Sequence, residues 1–195
     1  MNEFVVHQEP PMIAGLVLAA GAGRRFGDEP KQLAPLRGRP LLQHAVDAAN
    51  AVPALERIVV VLGARAEQIA AAIDFGRAET LVCEDWDDGQ AASLRCGLRA
   101  LEGADRVVVT LGDQPWVGSE AIMRLAEQPS GTRAAYDGVP GHPVVLGGEL
   151  AAAALELSGD EGARGLLRGA RTVECGDVAD ARDVDTVGDL KEMLT

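Results

Sequence analysis

The chain has 195 residues, a formal net charge of −12 and an aromatic content of 3%. That charge argues against nucleic acid or an anionic membrane surface as a partner. No apolar run approaches the ~18 residues that a membrane helix needs. The three cysteines, Cys83, Cys96 and Cys175, are odd in number and far apart. They lack metal-ligand spacing and read as buried thiols of a cytoplasmic protein.

Residues 1–12, ending in Pro10-Pro11, carry no apolar h-region. They read as a flexible lead-in and not as a secretory signal. Ile13–Ala19 is an apolar run that predicts a buried strand. A glycine-rich turn follows, Gly21-Ala22-Gly23, then Arg24, Arg25, Gly27 and Lys31. Glycines let a backbone turn tightly and approach an anion. Successive N–H groups then point into one concavity. Arg24 adds a planar fork of donors and Lys31 a point charge. The dinucleotide fingerprint fits poorly, because the third glycine falls one place late. Leu41 and Leu42 also stand where an acidic residue is required. The P-loop fits no better, since Pro30 precedes Lys31 and Gln32 follows it.

From there the spacing predicts alternation. Helices are expected over Pro40–Val52, Ala66–Ile73, Ala91–Leu101 and Ser119–Glu127, with Ser119 as a cap. Strands are expected over Ile58–Leu62, Thr80–Cys83 and Val107–Leu111. The pattern predicts a single α/β domain over 13–195. Its three-layer, doubly wound, mostly parallel sheet has right-handed crossovers. Ligands of such sheets bind at the carboxyl ends of the strands. The turns at Gly21, Gly63, Glu84 and Gly112 should therefore open onto one face. After Gly131 the alternation loosens.

Asp113 ends a buried strand, where a carboxylate is costly without a partner. Facing a triphosphate, its partner would be Mg²⁺, which takes one or two carboxylates plus phosphates. At Gly89-Gln90-Ala91-Ala92-Ser93 a helix N-terminus, the Gln90 amide and the Ser93 hydroxyl could read a base edge. The neighbouring Asp85, Asp87 and Asp88 read as solvated. His142 and Pro143 stand just ahead of an apolar strand. Arg164 follows Gly159-Asp160-Glu161-Gly162, either as an anion grip or in a surface ion pair with those acids. Asp185 is either a second metal ligand or the cap of the last helix. His7 and His44 carry no assigned role.

Six ordered motifs between Ile13 and Leu190 resemble the MobA-like NTP transferases. Leu18-Ala19-Ala20-Gly21-Ala22-Gly23-Arg24-Arg25-Phe26-Gly27-Asp28-Glu29-Pro30-Lys31 resembles their signature loop. Gly89 to Leu98 resembles their base-contacting segment, and Gly112-Asp113-Gln114-Pro115 their metal-binding motif. Gly141-His142-Pro143-Val144 and Gly159 to Leu167 are similar to the molybdenum-cofactor cytidylyltransferase group. Asp183-Val184-Asp185-Thr186 is similar too, although Val187 and Gly188 replace the usual proline and acid.

The resemblance implies a Rossmann-like nucleotidyltransferase fold. It implies a nucleotide-binding half over 13–130 and an acceptor-binding part over 131–195. The implied catalytic residues are Arg24, Lys31 and Asp113. Leu18 to Arg24, Lys31, Gly89, Gln90 and Ser93 would hold the nucleotide. His142, Pro143 and Arg164 would hold the acceptor, and Asp113 and Asp185 a Mg²⁺. The reaction implied moves CMP from CTP, or GMP from GTP, onto a pterin-type phosphate such as molybdopterin. A transient contact with a molybdoenzyme or its chaperone would follow. A guanylyltransferase for molybdopterin or phospholactate, an NAD(P)H-dependent oxidoreductase and a non-catalytic pterin chaperone are the rival readings.

Overall fold

The structure, a computed structural model, describes residues 10–27 and 29–193. Most of the expected lead-in, His7 and Asp28 of the signature loop lie outside those residues. One seven-stranded sheet runs through the domain in the order β5-β4-β1-β6-β8-β7-β9. Its strands are β1 (Ile13–Leu18), β4 (Arg57–Leu62), β5 (Glu79–Val82), β6 (Arg106–Leu111), β7 (Thr132–Tyr136), β8 (Val139–Leu146) and β9 (Arg171–Glu174). Two short strands, β2 (Pro35–Leu36) and β3 (Arg39–Pro40), form a separate hairpin. β1 lies between β4 and β6, parallel to both. It is covered on both faces, which is why it reads as a continuous apolar run without alternation.

Helices α1 (Leu41–Asn50), α2 (Ala66–Ala72) and α4 (Ser119–Ala126) cover one face. Their side chains share a core with Val17, Val60 and Leu62. Helices α3 (Gln90–Ala100) and α5 (Glu149–Ala154) cover the other, around Leu16, Val59 and Val61. The expected three layers are therefore present. Gly97 brings α3 close to the sheet: a Cβ there would lie 2.3 Å from Leu16 Cδ1. A third cluster joins α6 (Val187–Glu192) to Leu36, Leu41 and Val184.

Three expectations need correction. Ser119 is the first residue of α4 and not its cap; Gly118 takes that place, with no side-chain hydrogen bond. Cys83 and Cys96 are joined in a disulfide, with Cα atoms 6.0 Å apart, and only Cys175 remains a buried thiol. The cause is tertiary: Cys83 follows β5, and α3 folds back over the sheet to bring Cys96 against it. His142 and Pro143 do not precede a strand but lie within β8.

The region after Gly131 holds an antiparallel insertion. β7 and β8 form a hairpin across Asp137-Gly138, both with positive φ (51° and 78°). This is the two-residue turn that matches strand twist. β8 enters the sheet antiparallel to β6, and β9 closes the edge parallel to β7. Among the described residues no helix is long and apolar enough to cross a membrane.

Candidate functional site

The loop after β1 is asymmetric in its hydrogen bonds. The carbonyls of Ala19, Ala20, Gly21 and Gly23 are occupied from within the protein. The Gln32 side chain donates to the oxygens of Ala19 (2.9 Å) and Gly21 (2.8 Å). The Ala64 N–H donates to Ala20 O, and the Phe26 N–H to Gly23 O. The amides are not occupied. Among the described residues, the N–H groups of Ala20, Gly21, Ala22, Gly23, Arg24 and Arg25 donate to no protein acceptor. A run of free N–H groups in a turn is an anion-binding concavity. Gly23 (φ 60°) packs on Lys31: a Cβ there would lie 3.0 Å from Lys31 Cβ.

Gln32 was not anticipated from the sequence, although it is one of few buried polar residues. Gln32→Leu should leave two loop carbonyls without a donor. We expect a loss of about 1–3 kcal/mol in stability. Nucleotide affinity should also weaken by about ten-fold through lost preorganisation. Urea denaturation and calorimetry with a nucleoside triphosphate check both.

Lys31 lies across this loop. Its Nζ is 2.7 Å from Asp113 Oδ2 and 3.3 Å from Asp185 Oδ1. The lysine side chain is only 11% exposed, so its charge is poorly screened. Asp113 follows β6, and its carbonyl accepts the Val184 N–H at 3.0 Å. That bond brings Asp185 beside it across 72 residues of chain. Asp185 does not cap α6. Thr186 does, in a capping box with Asp189. The Asp185 carboxylate is therefore left for Lys31 and for Arg25 Nη2, at 2.9 Å. Arg25, which the sequence reading passed over, makes this contact. Arg24 is exposed and unpaired among the described residues. Asp183, next along, has its carboxyl raised by burial and by the Asp113 charge. Among the described residues no group of three or more His, Cys, Asp or Glu is arranged to hold a metal. The pair Asp113 and Asp185 still fits a hard cation that takes its remaining oxygens from phosphate and water.

Two cavities meet here. The smaller, about 70 Å³, is lined by Gly21, Gly23, Lys31, Gln32 and Gly112 among others. The larger, about 1150 Å³, shares Leu18 and Asp113 with it and runs beneath the segment 160–170. Gln90 reaches the larger cavity, whereas Gly89 and Ser93 do not line it, and Ser93 is buried. The first turn of α3 is partly closed, because the Ala91 N–H donates to Gly159 O at 3.0 Å. Asp85, Asp87 and Asp88 are exposed, as expected.

His142 and Arg164 both line the large cavity, and Pro143 is buried behind them. Arg164 is exposed and makes no ion pair with Asp160 or Glu161. The Tyr136 hydroxyl donates to the His142 carbonyl. Burial first, then the guanidiniums of Arg133 and Arg164, push the His142 imidazole down to about 4. It is therefore neutral at pH 7, and the positive charge of this wall comes from the arginines. The unfolded chain takes up this proton near the ordinary value of 6.5 and the folded chain only near 4. Stability is thus lost as pH falls through that window. His142→Gln should lose less stability than the parent between pH 7 and pH 5, measured by urea denaturation; equal losses would refute the assignment.

With this geometry in place, comparison with known proteins is informative. Residues 15–175 match the family model of the MobA-like NTP transferase domain. The chain is 34% identical to nicotine blue oxidoreductase of Paenarthrobacter nicotinovorans, over 94% of this chain and 97% of that one. Among solved structures it is similar to Rv0371c of Mycobacterium tuberculosis, with TM-score 0.82, 29% identity and coverage of 94% and 98%. That protein is also known in complex with manganese. A nucleotidyl transferase from a Methanothermobacter species superposes with TM-score 0.77 at 26% identity, covering 94% and 98% of the two chains.

Proposed function

The chain belongs to the MobA-like NTP transferase family, and from that premise we propose that it moves a nucleoside monophosphate, CMP in preference to GMP, from a nucleoside triphosphate onto molybdopterin or a similar pterin phosphate. The observation that carries this is the loop of free amides from Ala20 to Arg25, beside Lys31 and two carboxylates. An oxygen of the acceptor phosphate attacks the α-phosphorus in line. A new P–O bond forms, the bond to the β-phosphate oxygen breaks, and pyrophosphate leaves. The acceptor is already an anion, so no general base is required. Positioning and charge stabilisation are what the protein supplies.

The loop amides and Lys31 would take the phosphate charge, with Arg24 at the rim. Leu18 and Gln90 would frame the base, while Gly89 and the buried Ser93 would act only by shaping the first turn of α3 behind it. Asp113 and Asp185 would hold Mg²⁺, which neutralises phosphate charge when bound. Residues 13–130 would serve the nucleotide and residues 131–195 the acceptor. His142 and Arg164 would form the acceptor wall, with the buried Pro143 supporting it from within β8. Leu94, Val109 and Val144 offer an apolar floor for a flat ring. The preference for CTP rests on the double alanine Ala19-Ala20. A transient contact with a molybdoenzyme or its chaperone and a cytoplasmic setting belong to the same proposal; the Cys83–Cys96 disulfide is the observation that speaks against that setting.

A thermal-shift panel of the four triphosphates with Mg²⁺, followed by pyrophosphate release with molybdopterin, tests it. CTP should protect most. Failure of every triphosphate to protect would overturn the reading.

One finding favours a second reading. A relative matched over nearly its whole length is named an oxidoreductase. Against a dinucleotide, Leu41 and Leu42 are fully buried where a ribose-binding acid would stand. A nicotinamide absorbance change with a quinone-like acceptor, without triphosphate, would select that alternative.

A further inference from the structure

The floor of the large cavity is one register row across four strands. Val109 pairs with Val144, Val144 with Arg133, and Arg133 with Thr172, and all four line the cavity. A guanidinium stands in a row that otherwise carries two valines and a threonine. Arg133 makes no hydrogen bond or ion pair with any described residue, and its Nε is buried without a partner. A desolvated donor with no acceptor is costly, and at the floor of a cavity it calls for a ligand.

The charge around Arg133 is not compensated. The charged group that acts on it is Arg164, and those that act on His142 are Arg133 and Arg164. The acids of the lining are engaged elsewhere or apart. Asp180 pairs with Arg182, and Asp183 faces Gln114 and Asp113. Asp160 and Glu161 are exposed and unpaired with either arginine. Arg133 is also remote from the end where transfer would occur. Two strand spacings of about 4.8 Å and two residues of about 3.3 Å rise place its backbone about 12 Å from the end of β6.

We propose that Arg133, with Arg164 at the rim and His142 beside them, forms an oxyanion subsite distinct from the transfer site. Molybdopterin has one phosphate, which attacks, so the acceptor that fills both sites is a similar pterin phosphate with a second oxyanion, phosphate or carboxylate, on the far side of its body. The identity of that acceptor rests on the function proposed above; the subsite itself does not. A bidentate guanidinium contact suits either oxyanion. The cavity volume of about 1150 Å³ exceeds a usual single-ligand pocket of roughly 300–1,000 Å³ and leaves room for both substrates.

Binding of inorganic phosphate, without nucleotide or divalent cation, tests the subsite. Phosphate should raise the Tm of the parent, and Lys31→Ala should keep much of that rise. Arg133→Met should need at least ten-fold more phosphate for the same rise at the far site, and Arg133→Lys should recover part of it. Malonate in place of phosphate distinguishes a carboxylate from a phosphate ligand. If Arg133→Met fails to fold, Arg164→Met should show the same weakening. Equal protection of the parent and the arginine variants overturns the proposal. So does complete loss in Lys31→Ala, or no protection of the parent by either anion. A protein that transfers no nucleotide yet keeps arginine-dependent protection would refute the function and leave the subsite standing.

Discussion

Lys31→Ala should abolish nucleotidyl transfer while the domain stays folded. Lys31 is the cation held deepest against the loop, 2.7 Å from Asp113. In the free protein it neutralises two carboxylates; with a triphosphate bound, the same ammonium would stabilise charge leaving with pyrophosphate. Loss of one such preorganised donor costs on the order of 100- to 1,000-fold in kcat, about 3–4 kcal/mol. The variant should also be less stable without divalent cation, because Asp113 then loses its cation and faces Asp185, which keeps only the exposed Arg25. Mg²⁺ should restore that stability more in the variant than in the parent, since it takes over the role of the ammonium. Pyrophosphate release and Tm with and without Mg²⁺ read both effects. Unchanged release would remove Lys31 from the mechanism.

What the sequence made legible follows from the range of each interaction. Strands β1, β4 and β6 are apolar runs, and α1 and α3 carry helical spacing, so local pattern was enough. Gly21, Gly23, Lys31 and Asp113 were legible because backbone freedom and a carboxylate at a strand end are local signals. Arg25 and Asp185 meet across 160 residues, and choosing Arg25 over Arg24 depends on a side-chain direction that no spacing encodes. Gln32 acts on carbonyls behind it, and directly after Lys31 it carries no local signal of burial. Arg133 lies in Thr-Arg-Ala-Ala-Tyr, an ordinary strand sequence. Its role depends on β8 pairing antiparallel with β6 and bringing β7 to the cavity. The Asp137-Gly138 turn of that hairpin is a local signal, but no hairpin was drawn from it above. The disulfide was not legible, because it depends on how α3 folds back.

Asp113→Asn should remove Mg²⁺-dependent triphosphate binding, and Asp185→Asn should weaken it less. Asp113 follows a central strand, and its side chain is 29% exposed against 36% for Asp185. Asp185 stands on a loop and shares its charge with Arg25 as well as Lys31. Affinity for a hard cation follows the charge and rigidity of its oxygen ligands. The expected losses in MgCTP affinity are about 100-fold for Asp113→Asn and about 10-fold for Asp185→Asn, on the scale of one strong and one partly neutralised ligand charge. Both variants keep Lys31 paired with the remaining carboxylate and should fold. The order should reverse without divalent cation. A carboxylate beside a triphosphate repels it, so metal-free CTP should bind Asp113→Asn at least as well as the parent. Calorimetry in both conditions is decisive. Undiminished MgCTP binding by both variants would place the cation elsewhere. Weaker metal-free binding by Asp113→Asn would mean that the carboxylate positions Lys31 instead of holding metal.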